Sequence, residues 1–162
     1  MLRSGRRASK VLASSRPASS CRARIRRVEL VREVTTEEPL REELGERAEH
    51  CSYPDGKVVL VGFPDRHVNH SCDPNVYKVW EGNETYLVAR RPIKADEEIT
   101  LDYNINTSGG TSWPCHCGAA RCRGRSVGDF FELPRAVQLE YLPLLADWFV
   151  ERHAYEISSL RQ

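Results

Sequence analysis

Val68-Asn69-His70-Ser71-Cys72-Asp73-Pro74-Asn75, read together with Cys115-His116-Cys117 and Cys122, decides how this chain is understood. Cys115, Cys117 and Cys122 stand in the spacing C-x-C-x4-C. A structural zinc site takes four ligands in a tetrahedron, so these three are one short. Cys72 lies in a loop-like segment rich in Asn, Ser, Asp and Pro, and is the best-placed fourth ligand. His116 competes for that role, but four thiolates already complete the shell. One metal joining the two segments would pin Asn69 and His70 against the C-terminal loop. A pocket would then form from residues far apart in sequence.

The rest of the chain sets bounds on that reading. Its 162 residues, 40% hydrophobic, suit one soluble domain with tails. No run reaches the apolar length of a membrane helix, and no apolar h-region follows the basic start, so neither a membrane partner nor secretion is expected. The net charge of +1 hides an asymmetry. Residues 1–32 hold ten Lys/Arg against one acid, Glu29, which leaves 14 basic and 22 acidic residues in the remainder. A basic arm can bind nucleic acid by neutralising phosphates. It can equally be a disordered leader or a transit peptide, and arginine outnumbers lysine throughout. Six cysteines would allow disulfides in a secreted protein. The clustering at 115–122 favours metal instead, hence an intracellular, reducing compartment, cytoplasmic or nuclear. Cys21 and Cys51 are then spare thiols. His50-Cys51 could be a ligand pair, but it has no partners nearby in sequence.

Short strands alternate with turn signals. Val28–Val34 is rich in β-branched residues and reads as one strand, and Val58–Phe63 as another, ended by Pro64. Asp55-Gly56 marks a turn. Val76–Trp80 and Thr85–Arg90 form a hairpin across Glu81-Gly82-Asn83-Glu84. Ala95-Asp96-Glu97 is a turn before a strand at Glu98–Tyr103. After Arg125 the character turns helical. Asp129 is a candidate cap and Pro134 suits a first turn. Leu139, Leu142, Leu145, Trp148, Phe149 and Arg152 make a stripe near helical spacing, split at Pro143, which reads as a helical cap packed on the sheet.

Three motifs carry a resemblance. Asn69-His70-Ser71-Cys72-Asp73-Pro74-Asn75 resembles the first signature of the SET-domain family of protein-lysine methyltransferases. Glu97-Glu98-Ile99-Thr100-Leu101-Asp102-Tyr103-Asn104 resembles the second. Cys115-His116-Cys117-Gly118-Ala119-Ala120-Arg121-Cys122-Arg123-Gly124 resembles the post-SET zinc motif. The resemblance spans residues 66–126. It implies a mainly β SET fold of small curved sheets with knot-like threading, a post-SET zinc loop and a helical C-terminal tail. The implied divisions are a basic arm or divergent start of the SET domain over 1–24, the SET domain over 25–108, the zinc loop over 109–126 and a helical extension over 127–162.

The resemblance also implies chemistry. A methyl group would pass from S-adenosylmethionine to a lysine of a protein substrate, a displacement in which the protein mainly positions and desolvates. Asn69 and His70 would line the cofactor pocket. Tyr103 would serve both cofactor and catalysis, orienting the amine and the methyl group rather than acting as a base, since a tyrosine pKa is ordinarily about 10. Cys72, Cys115, Cys117 and Cys122 would hold a structural zinc. Tyr77, Tyr86 and Trp80 are candidates for a lysine channel, with core packing as their default. The family's early Gly-x-Gly is not matched: Ala8 and Lys10 stand there, and Asp96 replaces a turn glycine. A second reading therefore stands beside the enzyme: a catalytically weak or inactive SET-fold module, held by zinc, that binds protein or nucleic acid.

Overall fold

In a computed structural model, the described residues form ten short strands followed by three short α-helices. The structure describes residues 24–28, 30–34, 51–52, 58–81 and 84–162. The basic arm, the Ala8–Lys10 stretch and the Asp55-Gly56 turn lie outside them, and Cys21, His50 and the Cys51 side chain are outside as well.

Val28–Val34 is not one strand. β1 (Arg24–Val28) pairs antiparallel with β7 (Glu84–Ala89), whereas β2 (Leu30–Val34) pairs antiparallel with β4 (Val58–Val61). The chain changes sheets within a run rich in β-branched residues on both sides, so composition alone does not expose the break. β3 (Cys51–Ser52) pairs the other edge of β4, giving the order β2-β4-β3. Central β4 is buried at Val59, Leu60 and Val61, as its unbroken apolar run suits.

β6 (Val76–Glu81) and β7 form the expected hairpin, in register from Val76↔Ala89 to Glu81↔Glu84. Val76, Val61, Val68, Leu87, Ile99 and Leu101 close a first, aliphatic core between the sheets. β5 (Asn69–His70) runs parallel to β8 (Thr100–Leu101), and this pair brings the first two motifs side by side. The strand expected over Glu98–Tyr103 is thus cut to two residues. Side chains take the backbone N–H groups at its start and just past its end: Thr100 N donates to Asn75 Oδ1 at 2.9 Å, and Tyr103 N donates to His70 Nδ1 at 3.1 Å. Asp96 holds φ at 62°, a left-handed turn conformation in which Asp is better tolerated than most residues.

The C-terminal third packs a second core. α1 (Arg135–Tyr141), a 3-10 turn at Leu142–Leu144, α2 (Asp147–Arg152) and α3 (Ala154–Leu160) bury Phe130, Leu133, Tyr141, Ala146, Phe149 and Ile157. The chain breaks at Pro143 as expected. Asp129 does not cap α1; its carboxylate accepts from Phe131 N and Gly109 N, each at 2.8 Å. Pro134 sits at the cap itself, with ψ 136°, and needs no N–H there. The expected stripe is only partly inward. Phe149 is buried, but Leu139 is 43% exposed, while Gln138 and Tyr141 face the core. Trp80 of β6 meets Trp148 of α2 edge to face at 6.1 Å, so the helices cap the sheet as expected.

β9 (Trp113–Pro114) pairs with β10 (Arg125–Ser126) and brackets the cysteine loop. Ahead of it, residues 104–111 are zipped to the chain that leaves the loop. Gly110 N donates to Gly128 O at 2.9 Å and Phe130 N to Thr107 O at 2.8 Å. A Cβ on Gly110 or Gly128 would strike the facing backbone, which explains glycine at both crossings.

Candidate active site and cysteine cluster

The four cysteines converge. The sulfurs of Cys72, Cys115, Cys117 and Cys122 all lie within 4.8 Å of one another, and Cys72 Sγ to Cys115 Sγ is 3.7 Å. A tetrahedron with metal–sulfur bonds of about 2.3 Å has sulfur–sulfur edges of about 3.8 Å. The donor set and its spacing therefore suit zinc. His116 is exposed and outside the group.

Backbone and charge prepare the thiols unequally. Burial pushes the Cys72 thiol up to about 12, against the opposing pull of Arg123, and burial raises Cys115 as well. Cys117 is also penalised by burial, but N–H groups of Cys72 and Ala119 and the neighbouring thiols outweigh that and bring it to about 6. Cys72 N donates to Cys117 Sγ at 3.4 Å, and Gly124 N to Cys122 Sγ at 3.4 Å. N–H groups aimed at sulfur favour thiolate, the form a metal takes.

His70 joins the cluster to the strand. Its Nδ1 accepts from Tyr103 N, so the ring proton resides on Nε2, which faces Cys72 Sγ at 3.5 Å. Burial lowers the His70 pKa, with Asp102 opposing and Arg123 adding to the fall, so the neutral ring is favoured. Both ring nitrogens are thus engaged inside the protein. Asn69 differs. Its Nδ2 donates to Glu98 Oε1 at 2.7 Å, and its Oδ1 makes no hydrogen bond among the described residues.

Tyr103 stands two residues beyond the end of β8, after Asp102. The residue is 42% exposed, yet its hydroxyl turns in and donates to Val68 O at 2.6 Å. Its ring lies 5.3 Å from that of His70. Burial and then the Glu98 charge raise the phenol to about 12, which keeps it protonated near neutral pH. Tyr77 is buried, as a core residue would be.

A buried acid ties these parts together, and sequence reasoning missed it. The Asp102 side chain is fully buried. Its Oδ2 accepts from Arg123 NH2 at 2.7 Å and from Tyr141 OH at 3.0 Å, and its Oδ1 from Asn104 N at 3.1 Å and Asn104 Nδ2 at 2.6 Å. Arg123 also donates to Cys72 O at 3.3 Å. One carboxylate therefore binds the strand before Tyr103, the loop after Cys122 and helix α1. The sequence signal was an acid between Leu101 and Tyr103, beside an arginine placed directly after Cys122. Nearby, Glu140 of α1 pairs with Arg90 at 2.6 Å and Arg121 at 2.7 Å, joining the cap to the same loop.

Comparisons with known proteins agree with this geometry. The SET domain family model matches residues 10–104. The chain is 36% identical over 113 residues to histone-lysine N-methyltransferase ash1 of Drosophila melanogaster, covering 60% of this chain and 5% of that protein. It is 43% identical over 69 residues to the H3 lysine-36 specific histone-lysine N-methyltransferase of Debaryomyces hansenii, covering 40% and 9%. With the protein of the same name from Coccidioides immitis it shares 36% over 85 residues, covering 50% and 8%. The chain thus spans less than a tenth of each of these relatives. With more than half of its length matched by the family model, and its first two motifs paired strand to strand, the chain belongs to the SET-domain family.

Proposed function

We propose that this chain is a protein-lysine N-methyltransferase that takes its methyl group from S-adenosylmethionine, with a histone as the first substrate to test. The names of the relatives support the histone class, and a histone substrate supports a nuclear location. The observation that carries the reading is the Tyr103 hydroxyl held on Val68 O, beside the Asn69-His70 strand and backed by four converging sulfurs.

The cofactor would supply a sulfonium-bound methyl group with a good leaving group. Asn69 would bind it through the amide oxygen, which accepts from no donor among the described residues, and His70 through its main chain, since its ring nitrogens are engaged. Tyr103 would hold the acceptor amine in line with its neutral hydroxyl, while the amine gives up its proton to water. Cys72, Cys115, Cys117 and Cys122 would hold zinc for structure alone, with no open position. The family match beginning at residue 10 supports reading the basic start as a divergent opening of the SET domain rather than a free arm.

Radiolabelled methyl transfer to histone H3 and to nucleosomes tests the proposal. Wild-type protein is expected to label H3, and Tyr103→Phe to lose about 10²-fold or more in kcat, the scale of a lost transition-state hydrogen bond. No transfer, together with no calorimetric binding of millimolar S-adenosylmethionine, would overturn it. The inactive, zinc-held binding module would then be the better reading.

A further inference from the structure

The two acids at the start of the second motif face different ways. Glu97 turns outward to Arg91, at 2.6 Å, and to Lys94 N at 2.9 Å. Glu98 turns to the site, and its Oε1 lies 2.7 Å from Asn69 Nδ2. Asn75 fixes its backbone: Asn75 Nδ2 donates to Glu98 O at 2.8 Å, and Asn75 Oδ1 takes the Thr100 N–H two residues on. The carboxylate is half-buried, and its charge is felt at the Tyr103 hydroxyl.

The chemistry of these groups is directional. An ionised carboxylate only accepts hydrogen bonds, so the NH2 of Asn69 must face it and the amide oxygen must turn elsewhere. This side of the site therefore presents an amide oxygen and a carboxylate. Such a pair suits a cation and offers little to a neutral or anionic group.

We infer that Glu98 is the counter-charge by which this site prefers the sulfonium cofactor to the uncharged thioether that remains after methyl transfer. The inference rests on the methyltransferase reading. In that reaction the carbon–sulfur bond breaks as the carbon–nitrogen bond forms. The bonding pair stays on sulfur, and the positive charge passes to the amine, which releases a proton. S-adenosylhomocysteine thus carries one positive charge fewer than S-adenosylmethionine. Glu98 attracts the reactant, and that attraction vanishes once the methyl group has left, which favours exchange of product for fresh cofactor. Glu98 is a specificity and positioning residue; it holds Asn69 and the local field.

Calorimetric titration of the whole chain with each compound at low salt provides the test. Glu98→Gln still offers Asn69 an amide oxygen but removes the charge. It is expected to weaken S-adenosylmethionine about tenfold and to leave S-adenosylhomocysteine within about twofold. Equal changes for both compounds would overturn the inference. Glu98→Asp keeps the charge on a shorter arm, so both affinities should fall together and the wild-type ratio should hold. A collapsed ratio in that variant would overturn the inference even if Glu98→Gln fails to fold. Should wild type bind neither compound, the methyltransferase reading itself fails. Binding of both with a ratio indifferent to Glu98 removes the inference alone.

Discussion

The strand region around Asn69 and Tyr103 and the helical region after Ser126 are held by different forces. The first has a small aliphatic core of six buried residues, and polar devices do the rest. These are four cysteines, a buried carboxylate with four donors, and the Asn75 and His70 side chains that take backbone N–H groups at and beyond β8. The second rests on aromatic packing. Phe130, Phe131 and Phe149 contact one another with centroids 5.3 to 5.8 Å apart, and Trp148 and His153 extend the cluster. Apolar packing is non-directional and tolerant, whereas a polar network depends on every partner. The site region should thus respond to metal and acid, and the helical region to lost volume.

Metal removal is the largest lever. Structural zinc sites contribute on the order of 10 kcal/mol, comparable with the whole stability of a domain. The zinc-loaded protein should contain about one zinc per chain by thiol-linked release. A strong chelator, or Cys115→Ser, should abolish hydrogen-exchange protection at residues 69–72 and 100–104. If the helical residues 135–160 lose protection only later, the two regions are separable. If both go at once, the contrast fails and the chain is one cooperative unit.

Phe149→Ala probes the other side. Phe149 is 1% exposed and touches Phe130, Phe131, Trp148 and His153, so the truncation should cost about 4 kcal/mol in urea unfolding. Zinc retention under chelator competition should change little. A variant that sheds zinc as fast as it loses stability would show that the aromatic cap holds the cluster.

Asp102→Asn strikes the junction. One amide oxygen cannot accept from Arg123, Tyr141 and Asn104 together, and Arg123 would lose its buried counter-charge. Breaking such a pair costs about 3 kcal/mol. Zinc retention and unfolding should both worsen here, unlike in Phe149→Ala. A change confined to one of the two would place Asp102 in a single region.

The difference between regions also explains what could be read in the chain. Alternation and a Gly-Asn turn gave away the β6–β7 hairpin, and C-x-C-x4-C with Cys72 gave away the cluster, because those patterns are local or chemically restricted. The helical cap showed in apolar spacing and in Pro143. Its inward face did not, since Gln138 and Tyr141 turn in where Leu139 would be expected. Gln138 is satisfied there by donating to the carbonyls of Phe130 and Phe131, a partnership that hydropathy does not register. The sheet change between Val28 and Leu30 was hidden for a similar reason: strand propensity is the same in either sheet. Asp102 was hidden because burial of a charge depends on partners 21 and 39 residues away.

Glu97 gives the smallest expected effect and tests the acid sensitivity of the site region. Arg91 first, then the Lys94 N–H and Asn75, hold its carboxyl down to about 2, against an ordinary value of 4.5. A depressed folded-state value means the charged form is the one the fold favours. The resulting stability is therefore complete above about pH 4.5 and fades as pH falls toward 2. Because the pair is partly solvated, its worth is about 1 kcal/mol at most. Glu97→Gln should cost up to that much in urea unfolding at neutral pH, and the gap from wild type should close as the acid limb is descended. The turn at Asp96 keeps its backbone bond from Glu97 N to Lys94 O in either case, so the loss belongs to the charge. A gap that stays constant down the acid limb would assign the effect to Glu97's hydrogen bond with Asn75, and the site region would then owe less to ionisation than its partners imply.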